Sequence, residues 1–496
     1  MESEQKQSNL RWWILLTVII GTFLGRLDQT IVSLATPKII DDFNITVSAA
    51  GWISTAYILA NAVFVPIWGK LGDTIGRKKV YILGFTIFIG GSVLAGLSWN
   101  LGSMIIFRII QAIASSADYP TAMAILAVTF KEGKERNQAL GIWSSAFAAS
   151  SVFGPLIGGP LIDNFGWRSI FLVNLPIGIL GLLMAMNFIK ESVSAEKNMH
   201  FDWWGATALG VTLTSLVLVL DRGFDWGWLS VSSLTCYLVT LLAAVIFVRI
   251  EKKSPEPIVD LRFLENSAFV NTLANNFIVF MGLIGSIFLI PIFAQTFLGY
   301  DATATGYLFI PMAFALLVAA PIGASLSSSK IKPGHVIAAS TFVAAIGLYM
   351  FSFLDPKSTA LDIIIPMVIM AFGLGFGMSQ RTSVIASVVP QKEIGVASSL
   401  LALARNIAGA FGIAIFSTIL NNATESNVLK LGQMSTFKGT SIALYQQFIA
   451  LIELKAQVSA YGTVFLVSSL ILVVGAILAL FLNVKRIDPT VKVHVD

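Results

Sequence analysis

Six charged residues stand inside stretches that are otherwise apolar: Arg26, Asp28, Arg108, Asp118, Arg381 and Arg405. An ionised side chain in hydrocarbon costs several kcal/mol and is rarely kept for packing alone. Chemistry is therefore sought at these positions first. A buried carboxyl is pulled toward its neutral form by desolvation and toward its charged form by a neighbouring guanidinium. Such a group can take up and release a proton when its surroundings change. Other chemistries find no footing. The single cysteine, Cys236, excludes a disulfide framework and a cysteine metal site. His200, His335 and His494 lie far apart and form no metal-binding helical pair. There is no Gly-x-Ser-x-Gly elbow and no Walker sequence, so neither a serine hydrolase nor an ATP-driven pump is supported. No catalytic residue, metal or cofactor is expected.

The elements that must position these charges follow from composition. Of 496 residues, 56% are hydrophobic and only 12% charged, against about 25% in soluble domains. The mean hydropathy is +0.82. A soluble protein of this size needs a polar surface that this chain cannot supply. A net charge of +5 spread over the whole length is no nucleic-acid patch. The chain is an all-α membrane protein. A hydrocarbon core of roughly 30 Å takes about 20 apolar residues per helix, and fourteen such stretches can be marked. The first falls near 12–34, the fourth near 102–128, the fifth near 138–162, the twelfth near 361–389, the thirteenth near 394–420 and the last near 459–482. The first is too long, and lacks a small-residue cleavage site, to be a removable signal peptide.

Orientation follows from the lysines and arginines. With a cytoplasmic N-terminus, 21 of the 32 basic residues fall in inside segments and 7 in outside ones; Arg26, Arg108, Arg381 and Arg405 lie within or at the edge of spans. Both termini are then cytoplasmic, which demands an even number of spans. The expected organisation is an N-terminal six-helix bundle (1–190), an inserted helix pair with flanking linkers (191–262) and a C-terminal six-helix bundle (263–496). The last bundle carries a long outer loop at about 421–458, within which Ile442 to Leu454 reads as an interfacial helix.

On this frame Asp28 lies about 13 Å below the outer end of its helix and Arg108 about 9 Å below the outer end of the fourth span. An interaction between them is geometrically open, and a structural pair that never titrates is the plainer alternative. Arg26, two residues from Asp28, points to nearly the opposite side of its helix and either snorkels or lines another surface. Asp118 is a candidate carboxylate for cationic cargo, a second proton site, or a simple polar contact. Arg405, near mid-membrane, is a candidate for binding an anion or pairing with an acid. Arg381 reads as an interfacial anchor near the inner end of the twelfth span.

Gly69-Lys-Leu-Gly-Asp-Thr-Ile-Gly-Arg-Lys-Lys79 is expected to form a tight cytoplasmic turn between the second and third spans. Gly69, Leu71, Asp73, Gly76, Arg77 and Lys78 resemble the signature loop of the major facilitator superfamily. That resemblance implies a conformational latch at Gly69, Asp73, Gly76, Arg77 and Lys78, in which Asp73 helps to hold the outward-facing state. The corresponding turn of the second half, Gly323 to Gly334, lacks the Asp, so the latch is expected on one side only. Gly154-Pro-Leu-Ile-Gly-Gly-Pro160 is similar to the antiporter motif of the superfamily's fifth helix, carried here by Gly154, Pro155, Gly158 and Gly159. Gly and Pro together bend a helix and permit close packing. Leu27-Asp-Gln-Thr-Ile-Val-Ser-Leu-Ala-Thr-Pro37 resembles the helix 1 run of fourteen-helix drug:proton antiporters, with Ser33 and Thr36 departing from it. Gly166-Trp-Arg-Ser-Ile-Phe171, Asn174-Leu-Pro-Ile-Gly178 and Ala404-Arg-Asn-Ile-Ala-Gly-Ala-Phe-Gly-Ile413 are also similar to that subfamily. Arg108-Ile-Ile-Gln-Ala-Ile resembles a helix 4 pattern tied to proton transfer, with Ala112 in place of Gly.

The resemblance spans essentially the whole chain and implies a proton-coupled secondary antiporter. Asp28 and Arg108 are its expected proton-coupling residues, and Asp118, Arg405 and Arg26 its substrate-cavity candidates. The expected partners are a small amphipathic, cationic or drug-like cargo, protons and the lipid bilayer. A monomer in a bacterial plasma membrane, driven by the proton gradient, is expected. A dedicated exporter of one native metabolite, siderophore, peptide or lipid is the alternative; a non-transporting sensor or scaffold is a weaker one.

Overall fold

A computed structural model of the protein describes residues 2–130, 134–192, 202–254, 257–258, 261–325, 331–388, 394–435 and 442–482. The described residues form helices and no strands. In chain order these are α1 Glu2–Phe43, α2 Val47–Ile75, α3 Arg77–Gly96, α4 Leu101–Ser115, α5 Asp118–Thr129, α6 Lys134–Phe165, α7 Ser169–Leu172 and α8 Asn174–Phe188. They continue as α9 Trp203–Trp226, α10 Val231–Glu251, α11 Ser267–Phe297, α12 Ala302–Ser325, α13 Pro333–Phe351, α14 Ala360–Val388, α15 Ile394–Met434 and α16 Ile442–Leu480. Thirteen spans among the described residues are long and apolar enough to cross a bilayer, with α4–α5 and α7–α8 each making one. The 32-residue α6 has the length of the fourteenth. The expected all-α membrane fold is what the chain adopts.

Contacts group the chain into two compact units. The first holds residues up to Ile258 together with Ile287–Ile310, the end of α11 and the start of α12. The second holds Val259–Ser286 and Pro311 onward. Lipid is as apolar as leucine, so membrane helices associate by close packing at small residues rather than by hydrophobic drive. In the first unit, Gly84 and Gly91 bring α3 against Ala117 and the Gln111 backbone. In the second, Gly347 and Gly373 seat α13 against α14 in the same manner.

The helix pair α9–α10 belongs to the first unit. Asp221 of α9, 3% exposed, accepts from Ser48 Oγ (2.8 Å) and Trp52 Nε1 (2.6 Å) of α2. Within the pair, Ser215 and Thr240 share a hydroxyl–hydroxyl bond of 2.8 Å.

Three local expectations are corrected. The segment 69–79 is not a turn throughout: α2 runs on to Ile75, and the reversal is concentrated in Gly76 at φ +112°. Nothing before Gly76 forbids helix, and only glycine adopts that backbone freely. The fourth span crosses as one unit, but its hydrogen-bond ladder tightens between α4 and α5, where Ala117 N turns to the Ala114 carbonyl (3.1 Å) while Ser116 and Ala117 keep right-handed helical angles. The segment about 421–458 is helical in its described part, because α15 continues to Met434 and Ile442–Leu454 is the start of α16. No Gly or Pro interrupts 442–461, so the helix has no reason to stop.

Candidate functional site

The site is assembled from five helices of the first unit. Asn100 caps α4 in a reciprocal capping box with Ser103, accepting from Ser103 N at 2.8 Å. This fixes where α4 starts and so the depth of Arg108, two turns further on. Threonines 30 and 36 return their hydroxyls to carbonyls of α1 itself, so that helix carries polar side chains without disrupting its ladder.

At this level Arg108 Nη1 donates to Asp28 Oδ2 at 2.5 Å, with the two side chains 1% and 0% exposed. The geometric opening between them is therefore occupied by a real ion pair. Arg108 Nη1 also donates to Gln111 Oε1 at 2.6 Å. Gln111 Nε2 in turn donates to Asp28 Oδ1 (2.9 Å) and Ser92 Oγ (3.1 Å). Asn174 Nδ2, on the first residue of α8, reaches the same two atoms at 3.0 and 2.8 Å. Ser92 Oγ donates onward to the Phe171 carbonyl at 2.9 Å. Ser92 thus accepts twice and donates once, and it fixes both amides in one orientation. The guanidinium carbon lies over the Tyr57 ring, 4.0 Å from its centroid, an attraction that strengthens where water is absent. Tyr57 OH shares a hydrogen bond of 2.7 Å with Ser115 Oγ, which also accepts from Asn61 Nδ2 at 3.1 Å.

The arrangement can accommodate a change of charge. If Asp28 takes a proton, Arg108 keeps the Gln111 carbonyl and the Tyr57 face, so its charge is not stranded. Ser92, Gln111, Asn174 and Tyr57 were not singled out by sequence. Gln111 and Asn174 lay inside motifs already marked, three residues after Arg108 and at the head of Asn174-Leu-Pro-Ile-Gly178; Ser92 and Tyr57 left no signal.

The remaining candidates separate. Arg26 donates to Gln29 Oε1 at 2.8 Å and acts electrostatically on Asp118. Asp118 stands at the start of α5, its Oδ1 shielded from solvent and without a hydrogen-bond partner. Arg405, in the second unit, lies over the Phe280 ring at 5.4 Å. Arg381 is no interfacial anchor: it is 1% exposed within the second unit, and donates from Nε to Asn275 Oδ1 (2.7 Å) and from Nη2 to Thr341 Oγ1 (3.0 Å). The side chain turns into the unit, toward Asn275 and Thr341, rather than along the helix toward its end.

In the signature segment, the backbones of Gly69 and Asp73 lie in α2, while the side chain of Asp73 lies outside the described part. Glu191 holds the turn: its Oε1 accepts from Lys78 N (3.1 Å) and its Oε2 from Lys79 N (3.3 Å), at the N-terminus of α3. A Cβ on Gly76 would collide with that carboxylate. Arg77 N donates to Ser192 O at 3.2 Å, and Lys78 Nζ to Met186 O at 2.7 Å. Much of the matching turn at 323–334 lies outside the described residues.

The antiporter motif is buried at Gly154, Pro155, Gly158 and Gly159. A Cβ on Gly154 would strike Thr30, and one on Gly158 would strike Ile31, so both glycines seat α6 on α1. Gly159 faces the Thr303 backbone, and Gly306 faces the Pro155 carbonyl. One turn on, Asp163 accepts from the backbone N–H groups of Ala302 (3.1 Å) and Thr303 (2.7 Å).

Membrane-crossing helices that enclose a buried ion pair fit the transporter class. The Major Facilitator Superfamily family model matches residues 18–413, and the chain belongs to that superfamily. It is 33% identical over 434 residues to the multidrug transporter protein MdtP of Bacillus subtilis, covering 86% of this chain and 78% of that one. It is 31% identical over 419 residues to the riboflavin transporter RibZ of Clostridioides difficile, covering 84% and 90%. It is 29% identical over 409 residues to a tetracenomycin C resistance and export protein of Streptomyces glaucescens, covering 82% and 76%. Among solved structures, a bacterial homolog of the human lysosomal transporter Spinster superposes with a TM-score of 0.69 at 17% identity, covering 97% of this chain and 99% of that one. That likeness concerns the fold.

Proposed function

We propose that this transporter is a proton-coupled antiporter that exports amphipathic, cationic or drug-like compounds by alternating access from a bacterial plasma membrane, both termini cytoplasmic. The observation that carries the reading is the buried Asp28–Arg108 pair, closed by Gln111, Asn174 and Ser92. A carboxylate so enclosed, whose guanidinium partner has neutral acceptors in reserve, suits a group that alternates between charged and protonated forms. The close seating of the Gly154–Gly159 motif on α1, the helix that carries Asp28, links that group to a packing surface. Relatives named for multidrug transport and resistance support the cargo class.

The test is counterflow of a cargo library in proteoliposomes under an imposed pH gradient. Cargo-driven proton movement is expected in the wild type and is lost in Asp28→Asn. Normal exchange by Asp28→Asn sinks the assigned role. A second reading, export of one dedicated compound, draws on the relative named a riboflavin transporter. Broad mutual competition within the library favours the first reading; a single saturable cargo favours the second.

A further inference from the structure

The mechanism above leaves the half-buried acid Asp118 unused. Asp118 opens α5, just past the point where the helical ladder of the fourth span tightens at Ala117. A cavity lies beside it. It measures about 20 Å³ and is lined by Gly21, Gly25, Tyr81, Ser115 and Asp118 among others. That volume holds about one water molecule. The Asp118 Oδ1 atom is shielded from bulk solvent and has no hydrogen-bond partner.

We propose that Asp118 is a second proton-binding carboxyl, separate from Asp28 and served by this water-sized cavity. The volume decides against an organic cation, which needs hundreds of Å³. The donor set decides against a metal ion, since no cluster of three His, Cys, Asp or Glu occurs among the described residues. The ionisable groups that face Asp118 are Arg26 from α1 and Tyr81 from α3. The Thr22 hydroxyl lies beside the carboxyl and accepts from Trp143 Nε1 of α6 at 2.9 Å. The cavity adjoins the first site through Tyr57. Ser115 lines the cavity and bonds Tyr57 OH at 2.7 Å, and the Tyr57 ring carries the Arg108 guanidinium. Gly21 keeps the space open, because a Cβ there would come 3.0 Å from Asp118 Oδ1 and collide with the Tyr81 hydroxyl.

The role in coupling rests on the antiport reading, but proton binding at Asp118 is measurable without any cargo. The experiment is pH-difference infrared spectroscopy of the full-length protein in phosphatidylcholine vesicles, between about pH 6 and 9, above the range of exposed carboxyls. A high-frequency carboxyl band that grows on acidification is expected in the wild type. It is lost in Asp118→Asn, moved in frequency in Asp118→Glu, and retained in Asp28→Asn. If Asp118→Asn does not fold, the frequency shift in Asp118→Glu decides. The proposal is overturned if no such band exists, if Asp118→Asn or Asp118→Glu leaves it in place, or if sodium at fixed pH removes it. A titrating Asp118 in a protein that shows no gradient-driven exchange would sink the antiport reading and leave this site standing.

Discussion

The Thr303 hydroxyl and the Thr303 backbone N–H both reach Asp163 Oδ2, at 2.6 and 2.7 Å, across 140 residues of chain. With Ala302 N on Oδ1, Asp163 serves as the cap of α12 from outside that helix. The first N–H groups of a helix have no partner within it and carry its positive end, so a carboxylate there is doubly favoured. Asp163→Ala is expected to cost about 1–2 kcal/mol, the upper range for a lost cap. Asp163→Asn should cost less, because one acceptor remains. Thermal unfolding in detergent reads both, and equal melting points for the three proteins would refute the assignment.

The neighbouring glycine gives a steric prediction. At Gly159 a methyl group would meet backbone atoms of Thr303, which cannot swing aside. At Gly90 it would meet nothing within 4 Å. Gly159→Ala should therefore lower transport and stability together, whereas Gly90→Ala leaves both unchanged or slightly improved through helix propensity. The comparison of the two alanine variants in one transport assay separates packing from a general intolerance of α-helical glycine replacement.

The ion pair predicts a non-additive cycle. Removing one partner of a buried pair strands the other charge and typically costs 3–5 kcal/mol, while removing both is far milder. Asp28→Asn and Arg108→Met should each lower stability sharply, and the double variant should recover much of the loss. Transport should not return with it. Recovery of proton-driven exchange in the double variant would show that the pair only holds the helices together.

Glu191 is exposed, and its substitution should be tolerated by folding. Its two carboxylate oxygens accept from Lys78 N and Lys79 N behind the Gly76 reversal. Glu191→Ala is expected to cost about 1 kcal/mol, as for other N-terminal caps, and Glu191→Asp only part of that. Amide hydrogen exchange localises the effect: protection should fall in the first turn of α3 and stay unchanged in α8.

The architecture was legible because hydrocarbon imposes a single length and a single composition on each span, and the charge bias rides on top of it. Asp28 and Arg108 were legible for the complementary reason, as exceptions to that composition at matching depths. The rest of the site was not. Ser92, Asn174 and Tyr57 are ordinary polar residues in a helix until three other helices converge on them, and spacing along one chain cannot report that. Arg381 was misread because a position near a helix end does not report which way the side chain turns; α14 ends where expected, and Asn275 and Thr341 draw the guanidinium into the second unit. The irregularity before Asp118 had a cue in Pro120, which has no N–H to offer and whose ring crowds the carbonyl four residues earlier, that of Ser116; how far the helix yields there is set by what packs alongside. Glu191 escaped notice because a linker carboxylate has no pattern until the turn it caps exists.

One consequence follows from how α9 and α10 are held. Asp221 clasps α9 to α2, but most of α10 is left exposed. At 21 residues α10 is about 32 Å long, close to a hydrocarbon thickness of roughly 30 Å. A helix with so little protein to lean on must meet any thinning or thickening of the bilayer by its own tilt. In this protein the lipid environment is felt first on α10, and acyl-chain length becomes a control variable that reaches α2 through α9, at Asp221 and at Gly210 against Val63.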